Sequence, residues 1–285
     1  MKKFTFLIPV YNDWTSLKIL LEKIELQLKD RNDQFSIIIL NDFSTQKCDI
    51  SVKNFQKIKQ LKIINFNKNI GSQRAIAIGL KYISQSNEKE MIIIMDSDGQ
   101  DDPEILNNII EVNEKFPNEI ISINRLGRKD PIWFKIFYEL HYYCLMLFSG
   151  HKIRYGHYCL ISSDKLKKLL STGDLWSAYP AAISKSFKKT YKIFHERKKR
   201  YTGNTKMNLY KLFIHSLRIF AVFKYKVLIF SSIYSLIFFF LGSSFYFLIF
   251  ILIIFNFLIF LNSHSNKKKI DETFSSIISH IDTIL

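Results

Sequence analysis

From Val227 to Leu261 the chain runs for about 35 residues, VLIFSSIYSLIFFFLGSSFYFLIFILIIFNFLIFL, without one charged side chain. A single membrane span needs only about 20 such residues, so one straight crossing would leave too much apolar chain. The GSS triplet at 242–244 divides the run into two shorter halves. The pattern therefore predicts a tight hairpin of two spans, each slightly short for the hydrocarbon core. Lys224 and Lys226 precede the run, and Lys267, Lys268 and Lys269 follow it. Positive charge on both flanks is expected to hold both ends on the cytoplasmic side, which a hairpin satisfies and a single crossing does not. One long tilted helix is the alternative.

Ahead of the hairpin, short β-branched and aromatic runs alternate with segments of helical apolar spacing. FTFLIPV, FSIIIL, LKIINF, MIIIM and EIISI read as strands, and WTSLKILLEKIELQLK and GSQRAIAIGLKYIS as helices between them. Such alternation implies a parallel α/β sheet. In these sheets ligands sit beyond the carboxyl ends of the strands, where PVYND, NDFST, NKNIGS and DSDGQDD all fall.

The last of these loops carries the chemistry. In MIIIMDSDGQDDPE an apolar strand ends in four aspartates, a glutamine and a glutamate. With a side-chain period of two along a strand, Asp96 and Asp98 would point to the same side and could share one cation. An EF-hand is excluded, since Gly99 stands fourth in the loop rather than sixth and Asn107 stands where the twelfth-position Glu belongs. No G-x-G-x-x-G follows the first strand, and no phosphate-binding P-loop is present. What remains is a divalent ion, Mg²⁺ or Mn²⁺, held by few protein ligands and completed by substrate phosphates. Residues 101–104 read instead as a helix start, with Asp101 or Asp102 capping and Pro103 at the first helical position.

Charge agrees with an anionic partner. Against 25 Asp and Glu stand 41 Lys and Arg, a net +16, which fits phosphate on a nucleotide, a lipid or a nucleic acid. A compositional bias toward Lys, Asn and Ile would give the same number. Cys48, Cys144 and Cys159 lie far apart with no C-x-x-C pair, so neither a disulfide framework nor a zinc site is supported. FTFLIPV near the start is a first strand rather than a signal peptide.

Taken together and in order, IPVYND, LNDFST, NKNIGSQRAIAIGL and MDSDGQDDPE resemble the signature loops of glycosyltransferase family 2. The last is very similar to that of the dolichol-phosphate mannose synthase branch. The likeness continues through NRLGRKD and HERKKRYTGNTKMNLYKLFIHSLRIF into the hairpin. The resemblance implies a GT-A fold (Rossmann-like, mostly parallel sheet), a nucleotide-sugar donor, a divalent cation and, in this branch, often a polyprenyl phosphate acceptor.

By the same resemblance, Pro9, Tyr11 and Asp13 match nucleotide-binding positions of the first loop, with Asp13 where the branch usually has Glu. Leu40 and Asp42 match the second loop, and Asn41 replaces a family aspartate. Asp96, Ser97, Asp98 and Gln100 match the metal and diphosphate loop. Arg125 matches a phosphate-binding arginine just after the fifth strand, and Arg128 follows it in NRLGRKD. Arg197, Arg200 and Lys206 fit R-x-x-R-x-x-G-x-S-K, with Thr205 in place of Ser. In YGHYCLISSDKL, His157 and Cys159 depart from the family's usual Gly-Asp or Gly-Asn, aromatic and Arg, so no acceptor contact carries over there.

Asp96, Asp98 and Arg125 suit stabilisation of a nucleoside diphosphate leaving group. A hydroxyl acceptor would also need a general base. Asp174 in TGDLW is the sole candidate, whereas a phosphate acceptor is already anionic and needs none. NLYKLFIHSLRIFAVFKYK has helical apolar spacing interrupted by Lys211, His215, Arg218, Lys224 and Lys226, as an interfacial helix would. The expected layout is therefore a GT-A domain over 1–205, an interfacial helix over 206–226, a transmembrane hairpin over 227–261 and a cytoplasmic tail over 262–285. The expected activity is an inverting, metal-dependent sugar transfer from a nucleotide-sugar donor to polyprenyl phosphate at the cytoplasmic face of a cell membrane. The layout is compatible with a homo-oligomer. The alternatives are a transferase acting on a hydroxyl of a glycolipid or polysaccharide precursor, and a catalytically silent nucleotide-sugar binder. Nucleic acid is not an expected partner, since net charge alone speaks for it.

Overall fold

A computed structural model describes residues 1–50, 55–86, 88–126, 132–203, 209–266 and 269–285. Arg128, Thr205, Lys206, Lys267 and Lys268 lie outside these residues, as does the expected domain boundary at 205/206. Four strands, β1 (Lys3–Val10), β2 (Gln34–Asn41), β3 (Ile58–Phe66) and β4 (Met91–Ile94), pair in parallel in the order β4-β1-β2-β3. Between and after them run α1 (Trp14–Gln27), α2 (Ser72–Ile83) and α3 (Leu106–Lys115). Phe4, Phe6 and Ile8 of β1 share one core with Leu17 of α1 and Ile109 of α3, while Leu7 shares the other with Ile76 and Leu80 of α2. With both faces covered, β1, β2 and β4 are buried along nearly their whole length, which is why they read as largely apolar runs. Each fully buried Leu, Ile or Phe contributes roughly 1.5–3 kcal/mol of burial free energy.

Beyond β4 the sheet becomes mixed. β5 (Ile120–Leu126), α4 (Ile132–Ser149), β6 (Tyr155–Ser162), α5 (Leu166–Ser171), α6 (Tyr179–Ser186) and β7 (Thr190–Glu196) follow in sequence. β6 lies between β4 and β5, antiparallel to both, and β7 pairs in parallel with β5. The sheet is thus the mostly parallel one expected, with β6 running against its neighbours. The Tyr155–Ser162 strand was not anticipated.

After α7 (Leu209–Val222), the apolar run forms α8 (Lys224–Leu241) and α9 (Tyr246–Asn266), interrupted at Gly242–Phe245. Both are long and apolar enough to cross a membrane. Then α10 (Lys269–Ile277) leads into β8 (Ile278–Thr283), which pairs antiparallel with β3. The segment read from sequence as a tail ends in this strand, which closes the sheet in the order β7-β5-β6-β4-β1-β2-β3-β8. Covering β3 removes an edge that would otherwise present unpaired backbone groups.

A third core joins the helical pair to the sheet domain. Leu145 of α4, Ala181 of α6, Leu217 and Phe220 of α7, Val227 of α8 and Ile259 of α9 are buried together. Phe255 stands 5.1 Å from Phe220 and 5.5 Å from Phe148. α4 carries a largely exposed apolar surface that includes Trp133, Ile136, Phe137 and Leu140.

Candidate active site

The four loops gather at one end of the sheet, as the strand pattern requires. Asn12, with φ of +49°, turns its side chain so that Oδ1 accepts from the amides of Thr45 (2.8 Å) and Gln46 (3.1 Å). Asp42 accepts from the amides of Ile70 (2.7 Å) and Gly71 (2.8 Å). Burial lifts its carboxyl to about 6, and the two amides pull the other way. The loops after β1, β2 and β3 are therefore mutually braced. Both oxygens of Asp42 are engaged in holding the 70–71 turn, and the Leu40 side chain is wholly buried, under Gly79 of α2. Pro9 lies within β1, and Tyr11 is exposed on the first loop.

β4 ends at Ile94, so Asp96 to Gln100 form a turn and strand alternation does not orient them. Local bonds do. Asp98 Oδ1 accepts from the Gln100 amide at 2.9 Å, and Asp101 Oδ2 accepts from the Asp96 amide at 2.9 Å. Asp102 caps the next turn by accepting from the Glu104 amide at 3.0 Å and also takes the His195 ring at 2.7 Å. The capping role expected of 101 or 102 belongs to Asp102, whereas Asp101 braces the acidic loop. Burial and the neighbouring Asp96 charge raise the Asp98 carboxyl and push Asp101 up to about 7. Burial also works against the Asp96 charge, but His157, Arg197 and Arg125 outweigh it and hold that carboxyl well below its ordinary range.

Gly99 makes the turn possible. Its φ is +79°, and a Cβ there would run into the Tyr201 ring. Gly99→Ala is accordingly expected to cost about 2–4 kcal/mol through left-handed strain and overpacking together, read as a lower melting temperature. Pairing it with Tyr201→Ala should restore the overpacking part only. An unchanged melting temperature for the single variant would refute this account of the turn.

Arginines face the acidic loop. Arg125 lies inside β5, opposite His195 of β7, rather than just after the strand. A side chain at Gly156 would meet its guanidinium at 2.6 Å, so glycine there leaves room for it. Arg125, Arg197, Gln100 and Asp101 line one small recess. Arg197 Nε is buried without a hydrogen-bond partner among the described residues, an orphan donor of the kind an anion satisfies. Arg200 ties two loops together, donating to Asp98 at 2.8 Å and to Asp13 at 2.6 Å. Asp13 Oδ2 and Asp98 Oδ2 are thus both engaged by one guanidinium. Ser97 is buried within the turn.

His157 joins the site from the start of β6. Its Nδ1 lies 3.3 Å from Asp96, and its Nε2 meets the Gln73 side chain. Gln73 in turn accepts from the Tyr179 amide at 2.8 Å. Neither Gln73 nor the partnership of His157 with Asp96 was anticipated from sequence. Asp174 is elsewhere, 2.9 Å from Lys185.

Among the described residues no group of three or more His, Cys, Asp and Glu side chains encloses a cation. Asp96, Asp98 and Gln100 nevertheless offer hard oxygen donors on one turn. That donor set fits a small divalent ion that draws the rest of its shell from phosphate and water.

Residues 5–170 match the sequence profile of Glycosyl transferase family 2. The chain belongs to this family. Family relatives include an uncharacterized glycosyltransferase of Synechocystis sp., 26% identical over 74% of this chain and 66% of its own length. Another is the undecaprenyl-phosphate 4-deoxy-4-formamido-L-arabinose transferase of Photorhabdus laumondii, 23% identical over 74% of this chain and 65% of its own. The chain spans about two thirds of the length of these curated relatives. Glucosyl-3-phosphoglycerate synthase of Mycobacterium tuberculosis, solved with Mn²⁺ and UDP-glucose, shares the fold with a TM-score of 0.54. It is 10% identical, covering 79% of each chain.

Proposed function

We propose that this chain transfers a sugar from a nucleotide-sugar donor to a lipid phosphate at a membrane surface. The observation that carries the reading is the pairing of the acidic turn with Arg125 and the unpartnered Arg197 donor, next to a helix packed on the apolar pair. α7 brings His215 close enough to His157 and Arg125 to feel their charges, and burial with those charges pushes it down to about 4. The crevice and the helices α7 to α9 therefore form one connected surface. In support, the Photorhabdus relative is named for undecaprenyl phosphate.

Sugar transfer breaks the bond between the anomeric carbon and the donor phosphate, leaving charge on a nucleoside diphosphate. Arg125 and Arg197 supply fixed positive charge where burial makes it effective. Asp96, Asp98 and Gln100 would hold Mg²⁺ or Mn²⁺, which when bound neutralises diphosphate charge as the group departs. An anionic phosphate oxygen attacks without losing a proton, so no base is required. A hydroxyl acceptor would call for one. His157 is the crevice side chain with suitable chemistry, yet one ring nitrogen faces Asp96 and the other faces Gln73. This arrangement favours the phosphate.

The membrane reading rests on the return of the chain: α8 leaves the domain and β8 rejoins its sheet. Tags at either end of the chain are expected to be reachable from one side of the membrane only, the cytoplasmic side, and a tag at Ser243 only from the other. Ends that report opposite sides would replace the hairpin by a single span. The activity itself is tested by incubating membranes that hold the protein with labelled nucleotide sugars and extracting the lipid. Label in the lipid fraction is the expected result, and its absence with every donor refutes the reading.

A further inference from the structure

A cleft of about 860 Å³ opens at the end of β5 and β7 opposite the acidic turn, between the C-terminal end of α6, the segment after α4 and the first turn of α8. Six lysines line it: Lys152, Lys185, Lys188, Lys189, Lys192 and Lys226. Glu119 is the single acidic residue in that wall. Lys185 is paired with Asp174, and Lys226 donates to His151 Nε2 at 3.0 Å. The remaining four form no ion pair among the described residues. Concentrated like charge of this kind repels itself until an anion enters. His151, stacked on Phe223 at 4.2 Å, is pushed down to about 4 by burial and by Lys226 and Lys185, so it stays neutral and able to accept from Lys226. The amino end of α8 adds its own partial positive charge.

The position of the cleft selects the anion. Tyr225 and Lys226, in its wall, are followed directly by the apolar run, whose Leu228 and Ile229 are exposed. Lys224 donates to Ser263 Oγ at 2.7 Å, so both ends of the helical pair meet at this level. Tyrosine and lysine where an apolar helix begins are the residues that sit among lipid headgroups. The cleft and the active crevice also flank α7, whose 14 residues span about 21 Å. We propose that this cleft seats the phosphodiester headgroup of an anionic phospholipid, fixing one end of α7 to the bilayer while the crevice works at the other. The proposal rests on the membrane reading above.

Native mass spectrometry of the full chain, released from mixed micelles of phosphatidylglycerol and phosphatidylcholine, tests it. Phosphatidylglycerol adducts are expected to dominate, and to persist in excess inorganic phosphate. The triple variant Lys188→Gln, Lys189→Gln, Lys192→Gln should retain about tenfold less of that lipid, with nucleotide-sugar binding in the same sample unchanged. Equal retention by the variant would overturn the proposal, and displacement by inorganic phosphate would do so in favour of a soluble anion. A carbonate wash separates the two readings. Chain stripped from membranes by the wash defeats the anchoring and the cleft together. Chain that stays, without preference for phosphatidylglycerol, defeats the cleft alone.

Discussion

Asp98→Ala is expected to lower metal-dependent transfer by about 10²- to 10³-fold, the scale of losing one element of charge stabilisation in a transition state. Donor binding should lose its dependence on Mn²⁺ at the same time. The fold should survive. Asp98 lies in a turn beyond β4 rather than in either core, and its removal relieves the repulsion with Asp96 that helps raise its carboxyl. What is lost structurally is one acceptor for the Gln100 amide and one for Arg200, which keeps its bond to Asp13. Asp102→Ala makes the contrast. That carboxylate caps the Glu104 amide and takes the His195 ring, so its loss should cost about 1 kcal/mol or more of stability and little of the chemistry. Turnover, Mn²⁺-dependent donor binding and thermal melting, measured on both variants, separate the two roles. Normal Mn²⁺-dependent turnover in Asp98→Ala would remove it from the site.

Where sequence reasoning succeeded, the physics was local. Strands buried on both faces must be apolar throughout, so β1, β2 and β4 stood out as FTFLIPV, FSIIIL and MIII, and the loops at their carboxyl ends followed. A charge-free run interrupted at GSS pointed to two helices rather than one long one, and α8 and α9 are those two. The failures were long-range. β6 is half polar at its start, where Gly156 and His157 serve the site rather than the core, so no period announced it. Its register, Ile94 against Cys159, is what carries His157 to Asp96. That pairing joins residues 61 positions apart and leaves no trace in spacing. β8 escaped for a similar reason: ISHIDT lies on an edge, exposed along nearly its whole length, and only its partner β3 makes it a strand. Leu40 and Asp42 were carried over from a motif as nucleotide contacts. The motif also encodes the packing of Leu40 beneath α2 and the bracing of the 70–71 turn by Asp42.

If a lipid phosphate is the acceptor, the product is a sugar monophosphoryl lipid, released by mild acid, and nucleoside diphosphate appears in step with it. Two substitutions then part company. Asp174→Asn should keep most of the activity, since that carboxylate is paired with Lys185 in the wall of the lysine cleft and takes no proton from an acceptor that has none to give. Arg125→Gln should lose about 10²-fold or more, because a diphosphate bound in the recess that Arg125 lines would face a neutral amide in place of a guanidinium. The loss should fall on turnover more than on folding: relief of the repulsion between Arg125 and Arg197 partly offsets the attraction lost with Asp101 and Asp96. A hydroxyl acceptor reverses the first expectation. The lipid product would then resist mild acid, and removal of whichever side chain serves as base would cost 10²-fold or more. Applied to Asp174→Asn, that scale of loss would show that the carboxylate leaves Lys185 to reach the acceptor; applied to His157→Gln with an acid-stable product, it would show that the ring gives up Gln73 to take a proton.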